Sequence, residues 1–128
     1  MKRARVTRQS ATLHRWRKEL KTLWYQLRLA RPLMTGVAPL IAELNRVETA
    51  LGDDHNLVVL EATLRGCRDL RSMRAEIRRI GRLAAQMRQP LRRRAFALGR
   101  RLHVRTPGAF ARWLRASLKH VRPQQTAA

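Results

Sequence analysis

Five apolar side chains near the start of the chain, Leu13, Trp16, Leu20, Leu23 and Leu27, recur at alternating steps of three and four residues. That period builds one face of an α-helix and cannot build a face of a strand, where the repeat is two. Ser10 offers an N-cap and Pro32 a stop, so the first helix is expected over about 10–30. A second helix is expected over about 36–51, with Val37, Leu40, Ile41, Leu44, Val47 and Leu51 inward and Gly52 ending it. Asp53 or Asp54 then caps a third helix that turns Leu57, Leu60 and Leu64 to the core. A long fourth helix starts near Asp69 and carries Leu70, Met73, Ile77, Ile80, Ala84, Met87 and Leu91. Pro90 bends or splits it, and it resumes through Leu98 and Leu102. Thr106-Pro107, a cap followed by proline at the first helical position, opens a last helix to about His120. No strand pattern or internal repeat competes. The fold class is therefore all-α, an antiparallel bundle of four to five helices with one long helix bent near Pro90. The 128 residues suffice for a single core. The expected division is a basic disordered arm over 1–9, the bundle over 10–121 and a flexible tail over 122–128.

Charge decides what such a bundle meets. Lys and Arg number 29 against 8 acids, a net +21. Self-repulsion at that level opposes compaction and points to an anionic partner: nucleic acid, an anionic membrane surface or another phosphate polymer. The charge is unevenly placed. Residues 1–31 hold ten Lys/Arg and one acid, Glu19; residues 77–128 hold fourteen and no acid. The middle of the chain is close to neutral.

On a helical wheel, His14, Arg17, Lys18, Lys21, Tyr25 and Arg28 fall within an arc of roughly 100° beside the apolar one. Glu19, with Arg15, Thr22 and Gln26, lies on the far side. A merely solvated face mixes signs to gain i,i+4 pairs, and this arc does not. It spans roughly 21 Å, which suits several consecutive phosphates. Arginine brings forked donors, lysine a mobile point charge, Tyr25 a hydroxyl and His14 a ring donor. The last helix repeats the design, with Phe110, Leu114, Leu118 and Val121 on one side and Arg112, Arg115, Lys119 and Arg122 on the other. If the two basic faces border one groove they form a cradle, which Arg92-Arg93-Arg94 and Arg100-Arg101 extend. Taken singly, those arginines read as solvent-exposed.

Other chemistry finds little support. Cys67, the single cysteine, has no internal disulfide partner and reads as a small buried hydrophobe in a helix. His55 reads as a structural hydrogen-bonder at a turn, and His103 and His120 have no partners at metal spacing, so no zinc and no cofactor are expected. The acids Glu48, Asp53 and Asp54 near His55 are explained by capping and helix dipoles. With neither a metal-binding carboxylate set nor a cysteine nucleophile, the chain does not read as an enzyme. No apolar run approaches the length of a membrane span, and the basic start MKRARVTRQS is followed by no apolar core. The expected setting is the cytoplasm.

The segments LHRWRKELKTLWYQLRLARPL and LGDDHNLVVLEATL together resemble the CHAD family, the conserved-histidine α-helical domain, and LGRRLHVRTPGAFARWL looks like its closing part. The resemblance covers roughly Leu13 to Lys119. It implies a helical domain of two similar four-helix halves around a basic cavity, a role in binding inorganic polyphosphate, and association with polyphosphate granules. By matching positions it makes His14, Arg17, Lys18, Lys21, Tyr25 and Arg28 polyphosphate contacts and aligns His55 with the family's histidine. Arg112, Arg115 and Lys119 join them through the basic face of the last helix. Two positions depart from the family pattern. Trp24 stands where a basic residue often precedes the tyrosine, narrowing or covering part of the groove. Asn56 stands where aspartate is usual, removing a brace on a neighbouring arginine. The chain also looks like only the second half of the domain, which implies either a homodimer that rebuilds the cavity, the preferred expectation, or a shortened member that binds more weakly. The expected function is non-catalytic binding of polyphosphate. The alternative is a sequence-nonspecific nucleic-acid-binding protein, for which base-stacking aromatics are scarce.

Overall fold

In the computed structural model of the chain, residues 2–102 and 105–119 are described, with the side chains of 2–8, 68 and 71 set aside. Four α-helices follow one another: α1 (Lys2–Ala30), α2 (Ala38–Gly66), α3 (Arg74–Leu102) and α4 (Pro107–Ser117). Single 3-10 segments, Arg31–Leu33 and Arg68–Met73, occupy the first two connections. Among the described residues there is no strand, only an isolated bridge between Met34 and Leu118. Cross-helix contacts give the directions. Arg17 meets Glu48 and His14 meets His55, so α1 and α2 are antiparallel. Asp54 meets Arg88 and Arg92, so α3 returns along α2 and lies parallel to α1. The all-α antiparallel bundle is thus as the periodicity required.

The core joins Leu13, Leu20 and Leu27 of α1 to Leu44, Val47, Ala50 and Leu51 of α2 and Ala95 of α3. Met34 and Val37, in the α1–α2 connection, complete it. Gly36 takes φ +71° there, a conformation that favours glycine, and lets α2 reverse on α1. Gly99 permits the closest helix approach. A Cβ at that position would lie 2.6 Å from two ring carbons of Trp16, so α1 and α3 meet through glycine against indole, with Phe96 stacked on the same ring. Thr106 caps α4 as expected, its hydroxyl accepting from Ala109 N at 3.2 Å. The far end of α4 is tied to the α1–α2 connection by Thr35 N donating to Ser117 O and Lys119 N to Leu33 O, both at 2.7 Å.

Several boundaries differ from expectation. α1 begins at Lys2, so residues 2–9 extend the helix where a disordered arm was expected. Ser10 is not its cap, because the Ser10 hydroxyl is turned to Arg88 and Arg92. The second and third expected helices are one, α2, running through Gly52. Gly52 is buried in mid-helix, where a Cβ would come within 3.3 Å of the Arg17 guanidinium. Its role is to admit that side chain rather than to stop the helix. Asp54 is likewise no cap, and Cys67 lies half-buried in the break after α2 rather than inside a helix. Pro90 does not divide α3.

The inward face expected for the fourth helix is buried only in part. Ala84 is buried, but Met73, Ile80 and Met87 are exposed, as is Leu60 of α2, because nothing among the described residues covers them. His103, His120 and the tail 122–128 lie outside the described residues. Among the described residues, no helix is long and apolar enough to cross a membrane.

Candidate functional site

The wheel arc of α1 becomes a ridge along the flank that adjoins α2, and its members are held in different ways. Lys18, Tyr25 and Arg28 are exposed, whereas His14, Arg17 and Lys21 are partly buried. Arg17 Nε donates to Glu48 Oε1 at 3.0 Å, and its guanidinium lies against the bare Cα of Gly52. Arg28 stacks its guanidinium over Trp24 with 4.5 Å to the ring centroid. Lys21 Nζ stands 6.0 Å from the Tyr25 centroid. Trp24 packs partly against the core, so it is a platform beneath Arg28 rather than a lid over the ridge.

His14 and His55 stack, with ring centroids 4.6 Å apart and an interplanar angle of 30°. The sequence left these two apart; the antiparallel α1–α2 pairing brings them together. Burial first, then electrostatic repulsion from His14 and Arg17, push the His55 pKa below its ordinary 6.5, against the opposing pull of Asp54. His14 Nδ1 is buried with no hydrogen-bond partner among the described residues.

One turn away lies a charge network that sequence reasoning missed. Asp54, 3% exposed, accepts from Arg88 Nε and Arg92 Nε, each at 2.9 Å, through a single oxygen. Ser10 Oγ accepts from Nη2 of both arginines, at 3.2 Å from Arg88 and 3.4 Å from Arg92. Gln9 Oε1 accepts from Arg92 Nη1 at 3.4 Å. Two guanidinium groups on one carboxylate leave one positive charge in surplus in this network. Arg92 is thus not simply solvated, although Arg93, Arg94, Arg100 and Arg101 are exposed. The bracing acids are Glu48 and Asp54. Asn56, exposed, stands away from that role. A signal was available: once α2 is read through Gly52, Asp54 falls on the buried arc with Val47 and Leu51. Arg88 falls likewise with Ala84, Leu91 and Ala95.

Arg112, Arg115 and Lys119 are exposed. Lys119 N donates to Leu33 O, which sets the end of that basic face beside the α1–α2 connection. Phe110 of α4 meets α1 through a depression lined by Trp16, Glu19 and Leu23, on the flank opposite His14 and Lys21. Among the described residues, no three His, Cys, Asp or Glu side chains converge as a metal site.

Comparison with known proteins bears on the same segment. No curated protein and no solved structure matches the chain. The family model of the CHAD domain matches residues 1–65, which contain α1, the whole ridge and His55 and stop before α3. With a family model covering half of its length, the chain belongs to the CHAD domain family.

Proposed function

We propose that the α1 ridge binds inorganic polyphosphate without catalysis. The observation that carries this reading is a one-signed cationic face, His14, Arg17, Lys18, Lys21, Tyr25 and Arg28, lying wholly inside the segment that matches a family associated with polyphosphate binding. Its anchoring supports the same reading. Arg17 and Arg28 are held by Glu48 and Trp24, so less side-chain freedom is lost when phosphate oxygens arrive, while Lys18 adapts to their spacing. His55 joins through its stack on His14, and a phosphate there stabilises the imidazolium. Arg112, Arg115 and Lys119, all exposed, offer further cations to a long polymer. Residence in the cytoplasm at polyphosphate granules follows from this reading. So does a homodimer, for which the exposed Leu60, Leu83 and Met87 offer an apolar face.

Nucleic acid is the rival ligand, since counterion release rewards any dense polyanion. Titration with long-chain polyphosphate and with single- and double-stranded DNA, at about 0.15 M salt where surface charges are screened beyond ~8 Å, separates the two. Polyphosphate is expected to bind more tightly, and the Lys18→Ala/Lys21→Ala/Arg28→Ala variant to lose most of that binding. Equal binding of DNA, or a variant that binds like the parent, overturns the reading.

A further inference from the structure

The end of the α2–α3 hairpin opens into a groove of about 820 Å³. Arg74, Arg78 and Arg82, on three successive turns of α3, line one wall, and Arg65 stands on α2. The groove's single acid, Glu61, is taken by Arg65 in an ion pair. Among the described residues, no carboxylate pairs with Arg74, Arg78 or Arg82. Local energetics oppose this arrangement. Like charges at i,i+4 repel, and Arg74 and Arg78 occupy the first two turns of α3, where the helix dipole disfavours cations. Elsewhere the inward arginines Arg17, Arg88 and Arg92 each receive a carboxylate from within the chain. Here the counter-charge is left to something else.

We propose that this groove is a second anion site, which takes a short oligophosphate of two or three phosphoryl groups on Arg74, Arg78 and Arg82. It is independent of the reading of α1, since it lies roughly 15 Å along α2 from His55 and shares no residue with the ridge. Guanidinium forks match phosphate oxygens, and phosphoryl groups bring up to about two negative charges each into a small space, which meets three unpaired arginines. The volume is that of a small-molecule site rather than a bed for a folded partner. Leu64, Leu70 and Ile77 give the same groove an apolar stretch of wall. A free oligophosphate leaves that wall unused; a nucleoside carrying the same phosphates covers it.

Cys67 lines the groove and is the only cysteine of the chain, so its alkylation reports occupancy directly. The rate of reaction with N-ethylmaleimide, an uncharged reagent, is measured on the full chain with inorganic triphosphate, with a nucleoside triphosphate, and with sulfate at matched ionic strength. Either triphosphate at ten times its Kd is expected to slow the reaction about ten-fold, with sulfate having little effect. Arg74→Gln/Arg78→Gln/Arg82→Gln abolishes the protection and Arg78→Gln alone weakens it, helix content being checked by circular dichroism. Lys18→Ala/Lys21→Ala/Arg28→Ala retains it, even if that variant no longer binds long polyphosphate. A lower Kd for the nucleoside triphosphate, read from the concentration dependence of the protection, assigns the apolar wall to the nucleoside; equal Kd values assign the site to the phosphates alone. No protection, equal protection by sulfate or by a glutamate-rich peptide, or loss of protection in the ridge variant overturns the proposal.

Discussion

The middle of the bundle and the open end of its α2–α3 hairpin handle arginine in opposite ways. In the middle, Arg17, Arg88 and Arg92 turn inward and meet Glu48 or Asp54. At the hairpin end, Arg74, Arg78 and Arg82 gather in a groove and meet no carboxylate among the described residues. Both regions belong to one chain of net charge +21 with eight acids to distribute. Burial decides where those acids are spent. A buried guanidinium without a counter-charge costs several kcal/mol, whereas an exposed one is solvated and remains free to meet an external anion. The carboxylate on Arg88 and Arg92 thus serves the fold, and Glu48 holds Arg17 in place on the ridge. Lys18 and Arg28 of the ridge, like Arg74, Arg78 and Arg82, are exposed and meet no carboxylate among the described residues.

The largest test of that contrast is Asp54→Asn, which leaves Arg88 and Arg92 facing an uncharged amide. A loss of roughly 3–5 kcal/mol in urea unfolding is expected, and a loss no larger than that of an ordinary surface substitution would remove the distinction between the two regions. Next in size is Gly99→Ala. The added methyl meets the Trp16 indole at 2.6 Å, so α1 and α3 must part or the ring must turn. About 1–3 kcal/mol of destabilisation is expected, together with a change in tryptophan fluorescence.

The smallest effect is a pH dependence from His55. Its folded pKa lies below 6.5, so just under that pH the unfolded chain binds a proton that the folded chain refuses. Stability should therefore fall as pH drops through 6.5, and His55→Gln should flatten that part of the profile. Polyphosphate reverses the sign at this group: a bound anion favours the imidazolium, so binding at the ridge should take up protons and tighten as the solution is acidified. A profile unchanged by His55→Gln would detach this histidine from the site.

Much of the molecule was legible from local pattern. The three-four spacing of Leu13, Trp16, Leu20, Leu23 and Leu27 identified α1 and its buried face, and the cationic arc beside it followed from the same wheel. Thr106-Pro107 located the start of α4, because a cap acts within one turn. Where the reading failed, a residue with a familiar local meaning served a distant partner. Gly52 looked like a helix stop but makes room for Arg17; Asp54 looked like a cap but holds two arginines; Ser10 looked like a cap but accepts from those same arginines. The exposed Met73, Ile80 and Met87 show the converse, an apolar periodicity that promised burial on a side that the described residues leave uncovered.

By itself, then, the sequence determined that this protein is helical, that α1 has one apolar and one cationic face, and that its two ends are rich in positive charge. Those are properties of helical periodicity and composition, which act over one or two turns. Only the tertiary structure decided that His14 stacks on His55, that Asp54 serves Arg88 and Arg92 across separations of 34 and 38 residues, and that the end of α4 is tied to the α1–α2 connection. Such pairings depend on which helix lies against which and at what register. That choice is made by the packing of the whole core, and no single helix carries it.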